Sequence, residues 1–202
     1  MTRAAGFLAA LTAACVLLAS ATLASEQAAW AALKDGGVVL FRHANAPGGG
    51  DPAGMRLGDC ASQRNLDDVG RAQARRIGET IRARGVTVSA VLTSQWCRAQ
   101  QTAALAFPAT ANGLQVTGPK VTGPKVIDEP AFNSFFDDRS AGPGQTAAAR
   151  RILAAWTGPG ALFVATHQVN ITALTGIVPA SGEGIVLARE QGEWRVAGRI
   201  KP

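Results

Sequence analysis

The sequence predicts an α/β protein, a three-layer sandwich with a mostly parallel central sheet flanked by helices. Two observations predict it. Short apolar runs of strand length alternate along the chain with segments of helical spacing, the order from which crossover-connected parallel sheets are built. The chain also has only two histidines, His43 and His167, and each stands directly after such a run. A buried strand that ends in polar chemistry delivers it to a sheet rim, where open α/β proteins bind ligands.

Residues 1–25 read as a signal peptide rather than as part of the fold. Arg3 supplies a thin positive start and residues 7–18 an apolar stretch. Ala19-Ser20-Ala21 or Thr22-Leu23-Ala24 then offers a small-residue cleavage site. Retention as a membrane anchor is the alternative, because the low-charge run is nearly long enough to span a bilayer. Acylation of Cys15 fits poorly, since the preceding Thr12-Ala13-Ala14 has no leucine. Residues 26–202 then form one domain.

Within that domain, residues 26–34 read as a short helix closed by Asp35-Gly36-Gly37. Residues 37–41 are an apolar strand that breaks into Arg42 and His43. Residues 44–64 form a long loop rich in glycine and proline, and loops of that length tend to be functional. A helix follows with Asn65 or Asp67 as its cap, carrying Val69, Ala72, Ile77 and Ile81 before Gly85 stops it.

The second strand covers residues 86–92. Thr93 or Ser94 can cap the next helix, so that free backbone N–H groups and Arg98 would point the same way. The loop at 109–124 carries a tandem pentapeptide, Val-Thr-Gly-Pro-Lys from Val116 and again from Val121. Two copies are too few to stack as a solenoid. Then come a short strand at 126–127, a helix at 145–156, a strand at 161–166 and a helix at 169–174 stopped by Gly176. Residues 184–189 and 193–199 flank Gln191-Gly192 as a hairpin, which would add an antiparallel edge.

Composition agrees with a packed domain: 47% of residues are hydrophobic and 17% charged, which excludes a disordered chain. The net charge of +6 favours anionic partners. The basic residues are scattered, with no basic block and no aromatic-interleaved stripe, so nucleic acid is not expected as a partner. Membrane contact is expected only through the N-terminal segment. Beyond that segment two cysteines remain, Cys60 and Cys97. In an oxidising compartment an even number fits a disulfide; two separate thiols, with Cys97 packed on its helix, is the other reading. Without a Cys-x-x-Cys motif they make a poor zinc site. Nothing in the sequence indicates an oligomeric state.

Several segments resemble the motifs of one family. Leu40-Phe41-Arg42-His43 resembles the Leu-x-Arg-His-Gly motif of the histidine phosphatase superfamily, branch 1, with its phosphoglycerate-mutase-like fold; Ala44 stands where glycine is usual. The stretch from Thr93 to Ala103, with Arg98-Ala99 and Gln101-Thr102-Ala103, is similar to the family's arginine-bearing helix start. Ala165-Thr166-His167 resembles the strand end with the second histidine, and Gln168 replaces a common glycine. Leu66, Gly70, Gln73 and Ala74 echo the helix that follows the first loop. The motifs occur in the family's order from about Gly37 to Leu174.

The resemblance implies a phosphomonoesterase that needs no cofactor and no metal and acts on a small phosphorylated substrate. Arg42 and Arg98 would clamp phosphate oxygens through paired N–H groups, a geometry lysine cannot copy. His43 would attack phosphorus and form a phosphohistidine, its other ring N–H held by a backbone carbonyl. His167 would stabilise the transferring phosphoryl group. Glu129, in Glu129-Pro130-Ala131-Phe132-Asn133, matches the family's acidic segment and would protonate the leaving oxygen; Asp128 is second, and Asp51 and Asp59 are weaker candidates. Arg64 could add a phosphate contact, and Trp96, Phe135 and Phe136 could line the mouth or pack in the core. Export would make a periplasmic or secreted enzyme, which argues against a mutase of glycolytic substrates. A non-catalytic phosphate-binding module is the alternative, if Ala44 and Gln168 crowd the pocket.

Overall fold

The computed structural model describes residues 25–108 and 124–202. The expected leader lies outside them except for Ser25, as does most of the tandem pentapeptide. The elements in order are helix α1 (25–34), β1 (Val38–Arg42), α2 (Asp68–Ala83), β2 (Val88–Thr93), α3 (Cys97–Ala106) and β3 (Val126–Asp128), followed by α4 (Gly142–Ala155), β4 (Ala161–Thr166), α5 (Gln168–Thr175), β5 (Gly184–Glu190) and β6 (Glu193–Ile200). They form one six-stranded sheet in the order β3-β2-β4-β1-β5-β6. The first four strands run parallel, and the β5–β6 hairpin supplies the expected antiparallel edge.

Strand alternation builds the two faces. Val39 and Phe41 of β1 join Phe163 of β4 in one cluster, under Trp30 and Leu33 of α1, Ile77 and Ile81 of α2, and Ala99 and Ala103 of α3. Val38 and Leu40 join Leu162 and Val164 in the other, under Ala149 and Leu153 of α4 and Ile171 of α5. Phe41 and Phe163 stack at 5.0 Å across β1 and β4, and Phe107 meets Phe163 edge-on at 4.8 Å. Helices α2 and α3 approach closely at Gly78, where a Cβ would lie 1.9 Å from the Ala106 carbonyl oxygen.

Local chemistry sets the ends. Asp67, not Asn65, caps α2, its carboxylate accepting from Gly70 N at 2.6 Å. Asn65 instead donates to the carbonyls of Cys60 and Gln63. Helix α4 starts earlier than its apolar spacing suggests, at Gly142, with a proline in the first turn that costs no hydrogen bond there. Helix α3 starts later than expected, at Cys97, with no side-chain cap on its end residue Trp96. The Ser94 hydroxyl accepts from Trp96 N instead, and Cys97 N is taken by Gln63 Oε1. Two of the expected free N–H groups at this helix start, those of Trp96 and Cys97, are therefore already bonded.

Register decides what meets at the rim. Arg42 pairs with Thr166 across β1 and β4, and His43 N continues the ladder by donating to Thr166 O at 2.8 Å. Ser94 N donates to Ala165 O on the other side of β4. His43, Ser94 and His167 therefore leave three adjacent strands at one level.

Candidate active site

At that level lies a cleft of about 220 Å³, lined by Arg42, His43, the 48–51 segment, Arg64, Arg98, Ser134, Phe136, His167, Gln168 and Val169. The structure thus brings together four of the five expected residues: His43, His167, Arg42 and Arg98. The two imidazole rings are 5.4 Å apart, and Trp96 meets His167 edge-on at 5.5 Å.

His43 is almost sealed from solvent, and its Nδ1 pairs with the Ala44 carbonyl at 2.8 Å. A carbonyl only accepts, so Nδ1 carries the proton and Nε2 keeps its lone pair. Ala44 is fixed in turn by its N–H to Thr102 Oγ1, whose hydroxyl donates to Arg98 O. Burial, and then the Arg98 charge, push the His43 pKa down to about 3, against a smaller raising effect of the Ala44 carbonyl. His43 is therefore a neutral base well into the acid range.

His167 starts α5 and pairs through Nε2 with Ser94 Oγ at 2.8 Å. Its Nδ1 is buried without a partner, as are Nε of Arg42 and Nε of Arg98. Burial, and then His43, hold the His167 pKa well below the usual value. The two arginine nitrogens can only donate, so this cleft demands an acceptor that the described residues leave unmet.

Arg42 is aimed by the segment after α5. Its Nη1 donates to Pro179 O, its backbone N–H to Glu183 O, and Gly182 N donates to the carbonyls of Arg42 and His43. Glu183 holds that segment, accepting from Ala180 N and from Nε and Nη2 of Arg199 on β6. Burial and then the nearby Arg98 lower the Arg42 pKa.

Arg98, 2% exposed, is engaged by Asp51 of the long loop: both its Nη groups donate to the Asp51 carboxylate, and Trp96 Nε1 adds a third bond at 2.8 Å. Burial alone would raise the Asp51 pKa, but the bonds from Arg98 and Trp96 outweigh it and hold the carboxyl below its ordinary value. Arg64 organises the same loop, donating to the carbonyls of Ala46, Gly48 and Gly50. Cys60 and Cys97 form a disulfide that ties the loop's far end to the start of α3.

The structure does not bring Glu129 into the cleft. It follows the edge strand β3, and its carboxylate accepts from Ala131 N, capping the 3-10 turn Pro130–Phe132. Asp128 accepts both bonds from Gln100 at the surface, and Asp59 pairs with exposed Arg56. Among the described residues Asp51 is the one carboxylate lining the cleft. Phe136 lies at the mouth and Phe135 is buried. Ser94, Gln63 and Thr102 were not foreseen as parts of the site. Ser94 and Thr102 lie inside the arginine-bearing segment, so their place there was the available signal.

The sheet thus presents two strand-end histidines and three arginines, Arg98 buried among them, in one cleft, an arrangement with the charge to hold an anion. The model of the histidine phosphatase superfamily, branch 1, matches residues 38–117. Over those residues the chain is similar to the histidine phosphatase superfamily. Solved structures of similar fold include a SixA protein of Agrobacterium tumefaciens assigned as a phosphohistidine phosphatase, at 18% identity over 83% of this chain and 99% of that one, with a TM-score of 0.54. Bacillus stearothermophilus YhfR matches at 14% identity, covering 80% and 95%, with a TM-score of 0.54. A mycobacterial glucosyl-3-phosphoglycerate phosphatase matches at 16%, covering 79% and 96%, with a TM-score of 0.51. At these identities the likeness is one of fold. No curated protein matches the chain in sequence.

Proposed function

We propose that this protein is a phosphatase, a phosphomonoesterase that works through a covalent phosphohistidine on a small phosphorylated substrate. The observation that carries the reading is His43: a buried, neutral imidazole whose Nδ1 proton is committed to Ala44 O, beside His167 and between two arginines. His43 Nε2 would attack phosphorus while the bond to the leaving oxygen breaks, and that oxygen takes up a proton. Water would then attack the phosphohistidine and release phosphate. Arg42, Arg98 and His167 would balance the charge spreading over the phosphoryl oxygens.

The depressed His43 pKa supports an acid-type enzyme, because the nucleophile stays unprotonated at low pH. Glu129 could serve as proton donor only by turning its carboxyl into the cleft, which it does not line. The apolar N-terminal segment and the Cys60–Cys97 disulfide support a periplasmic or secreted location. The test is to mix the protein with ³²P-labelled substrate and quench without acid. Trapped label on His43, lost in His43→Ala, is the expected result. Binding of phosphate with neither label nor turnover would make the protein a binding module instead.

A further inference from the structure

The Asp51–Arg98 pair lies where the proposed phosphate has to go. A guanidinium takes an oxyanion through two parallel N–H bonds. In this structure that fork is filled by a carboxylate of the protein's own. The side chains are 3% exposed for Arg98 and 8% for Asp51, so solvent barely reaches the pair. An incoming phosphate can use the fork only after Asp51 has left it.

The loop is built to let that happen. Among the described residues Asp51's side chain has two hydrogen-bond partners, Arg98 and Trp96. On one side, Arg64 grips the carbonyls up to Gly50; on the other, the disulfide holds Cys60. Between these anchors Gly50 and Gly54 have φ of +67° and +78°, a backbone region that glycine enters freely. Among the described residues nothing lies within 4 Å of a Cβ built on Gly54, whereas one on Gly50 would meet Asp137 Oδ1 at 3.5 Å, so the open space is on the Cys60 side of Asp51. The anchors keep Asp51 close to the cleft after it leaves the fork.

We propose that Asp51 is an internal competitor for phosphate: its carboxylate covers the Arg98 fork in the free protein, is displaced by the substrate's phosphoryl group, and returns to expel the phosphate product. The inference rests on the phosphatase reading of the site, but its central claim is one of binding. A buried carboxylate on a buried guanidinium is an exchangeable anion of the kind the site receives. Returning it repairs an uncompensated buried cation, which would be costly to leave.

The experiment measures inorganic phosphate binding by calorimetry, without turnover, in wild type, Asp51→Asn, Asp51→Ala and Arg98→Ala. The same Asp51 substitutions are repeated in His43→Ala and in Arg98→Ala backgrounds, the first to exclude turnover. Both Asp51 variants should bind phosphate at least about ten-fold more tightly than wild type, equivalent to ~1.4 kcal/mol. In an Arg98→Ala background the Asp51 substitutions should give no such gain. Trp96 supplies a readout in the unaltered chain: saturating phosphate should shift its emission, identified by subtraction of Trp96→Phe, and should not do so in Arg98→Ala. Equal or weaker phosphate binding by folded Asp51 variants overturns the proposal. If those variants do not fold, an unchanged Trp96 signal in wild type at saturating phosphate overturns it. A protein that never hydrolyses a monoester but binds phosphate more tightly without Asp51 would sink the phosphatase reading and leave this one standing.

Discussion

The two rims of the sheet carry comparable cavities and opposite chemistry. At the end where the parallel strands begin, a cavity of about 390 Å³ is lined by Gly36, Gly37, Trp156, Arg189 and Trp194, among others. It is larger than the 220 Å³ cleft at the other end. Its tryptophans and arginine are bonded, and none of its lining side chains is among the buried ones without a partner: Trp156 Nε1 donates to Gly36 O, Trp194 Nε1 to Leu153 O, and Arg189 to the carbonyls of Ala154 and Trp156. Arg189 also lies over the Trp194 ring at 4.7 Å. At the histidine rim, nitrogens of Arg42, Arg98 and His167 are buried without partners. Size does not separate the two cavities; hydrogen-bond satisfaction does. One rim is finished structure, and the other holds donors in reserve.

That contrast can be broken by experiment. The largest effect belongs to His43→Ala, which should lower hydrolysis of an aryl phosphate by roughly 10⁴-fold or more, as loss of a nucleophile does. Arg98→Ala should cost ~10²–10³ in kcat/KM, and Arg98→Lys should restore little, because lysine cannot offer the paired N–H geometry. Steady-state kinetics with circular dichroism as a fold control checks both. Comparable losses from Trp156→Phe at the opposite rim would erase the distinction.

Stability should respond next. The Cys60–Cys97 bridge closes a sequence separation of 37 residues. Reducing it should destabilise the protein by about 3–4 kcal/mol on the loop-entropy account, seen as a lower Tm in reductant. Because the bridge anchors the Asp51 loop, activity at the histidine rim should fall at temperatures where the rest of the fold persists.

The pH dependence follows from the histidines. The His43 pKa falls from an ordinary 6.5 to about 3 on folding, and His167 shifts the same way. Above pH 6.5 both states are neutral and no effect arises. Between 6.5 and 3 the unfolded chain takes up protons that the folded one refuses, so stability falls as pH drops. His43 contributes up to ~1.4 kcal/mol per pH unit in that window, and His167 adds to the slope in the same direction. Urea titrations of the ligand-free protein should show this slope, and His43→Ala should reduce it. The smallest effect belongs to Trp156→Phe, which loses one hydrogen bond, costs about 0.5–1.5 kcal/mol in Tm-derived stability, and should leave turnover within about two-fold.

Much of this was legible in the sequence because it is local. The run from Val38 to Phe41 is apolar at every position, and only a strand buried on both faces needs that. His43 and His167 announce the rim because each terminates such a run. Asp67 and Gly85 mark the ends of α2 through chemistry contained within a few residues. What stayed hidden depends on contacts between distant segments. Asp51 looks like any loop aspartate until Arg98, 47 residues on, is brought against it. Ser94 reads as a helix cap, and only the packing of β2 beside β4 turns its hydroxyl toward His167. Glu129 has the right neighbours in sequence, but its carboxylate is bonded to the turn that follows it.

The pair formed by Glu183 and Arg199 has a practical reach. Arg199 is near the end of the last strand, and through Glu183 it steadies the segment that holds Arg42 at the other end of the domain's sequence. An affinity handle fused just past this point, or a truncation that clips it, would pull on the histidine rim without touching any residue in it. Preparations that differ only in their C-terminal appendage would then differ in how Arg42 is held.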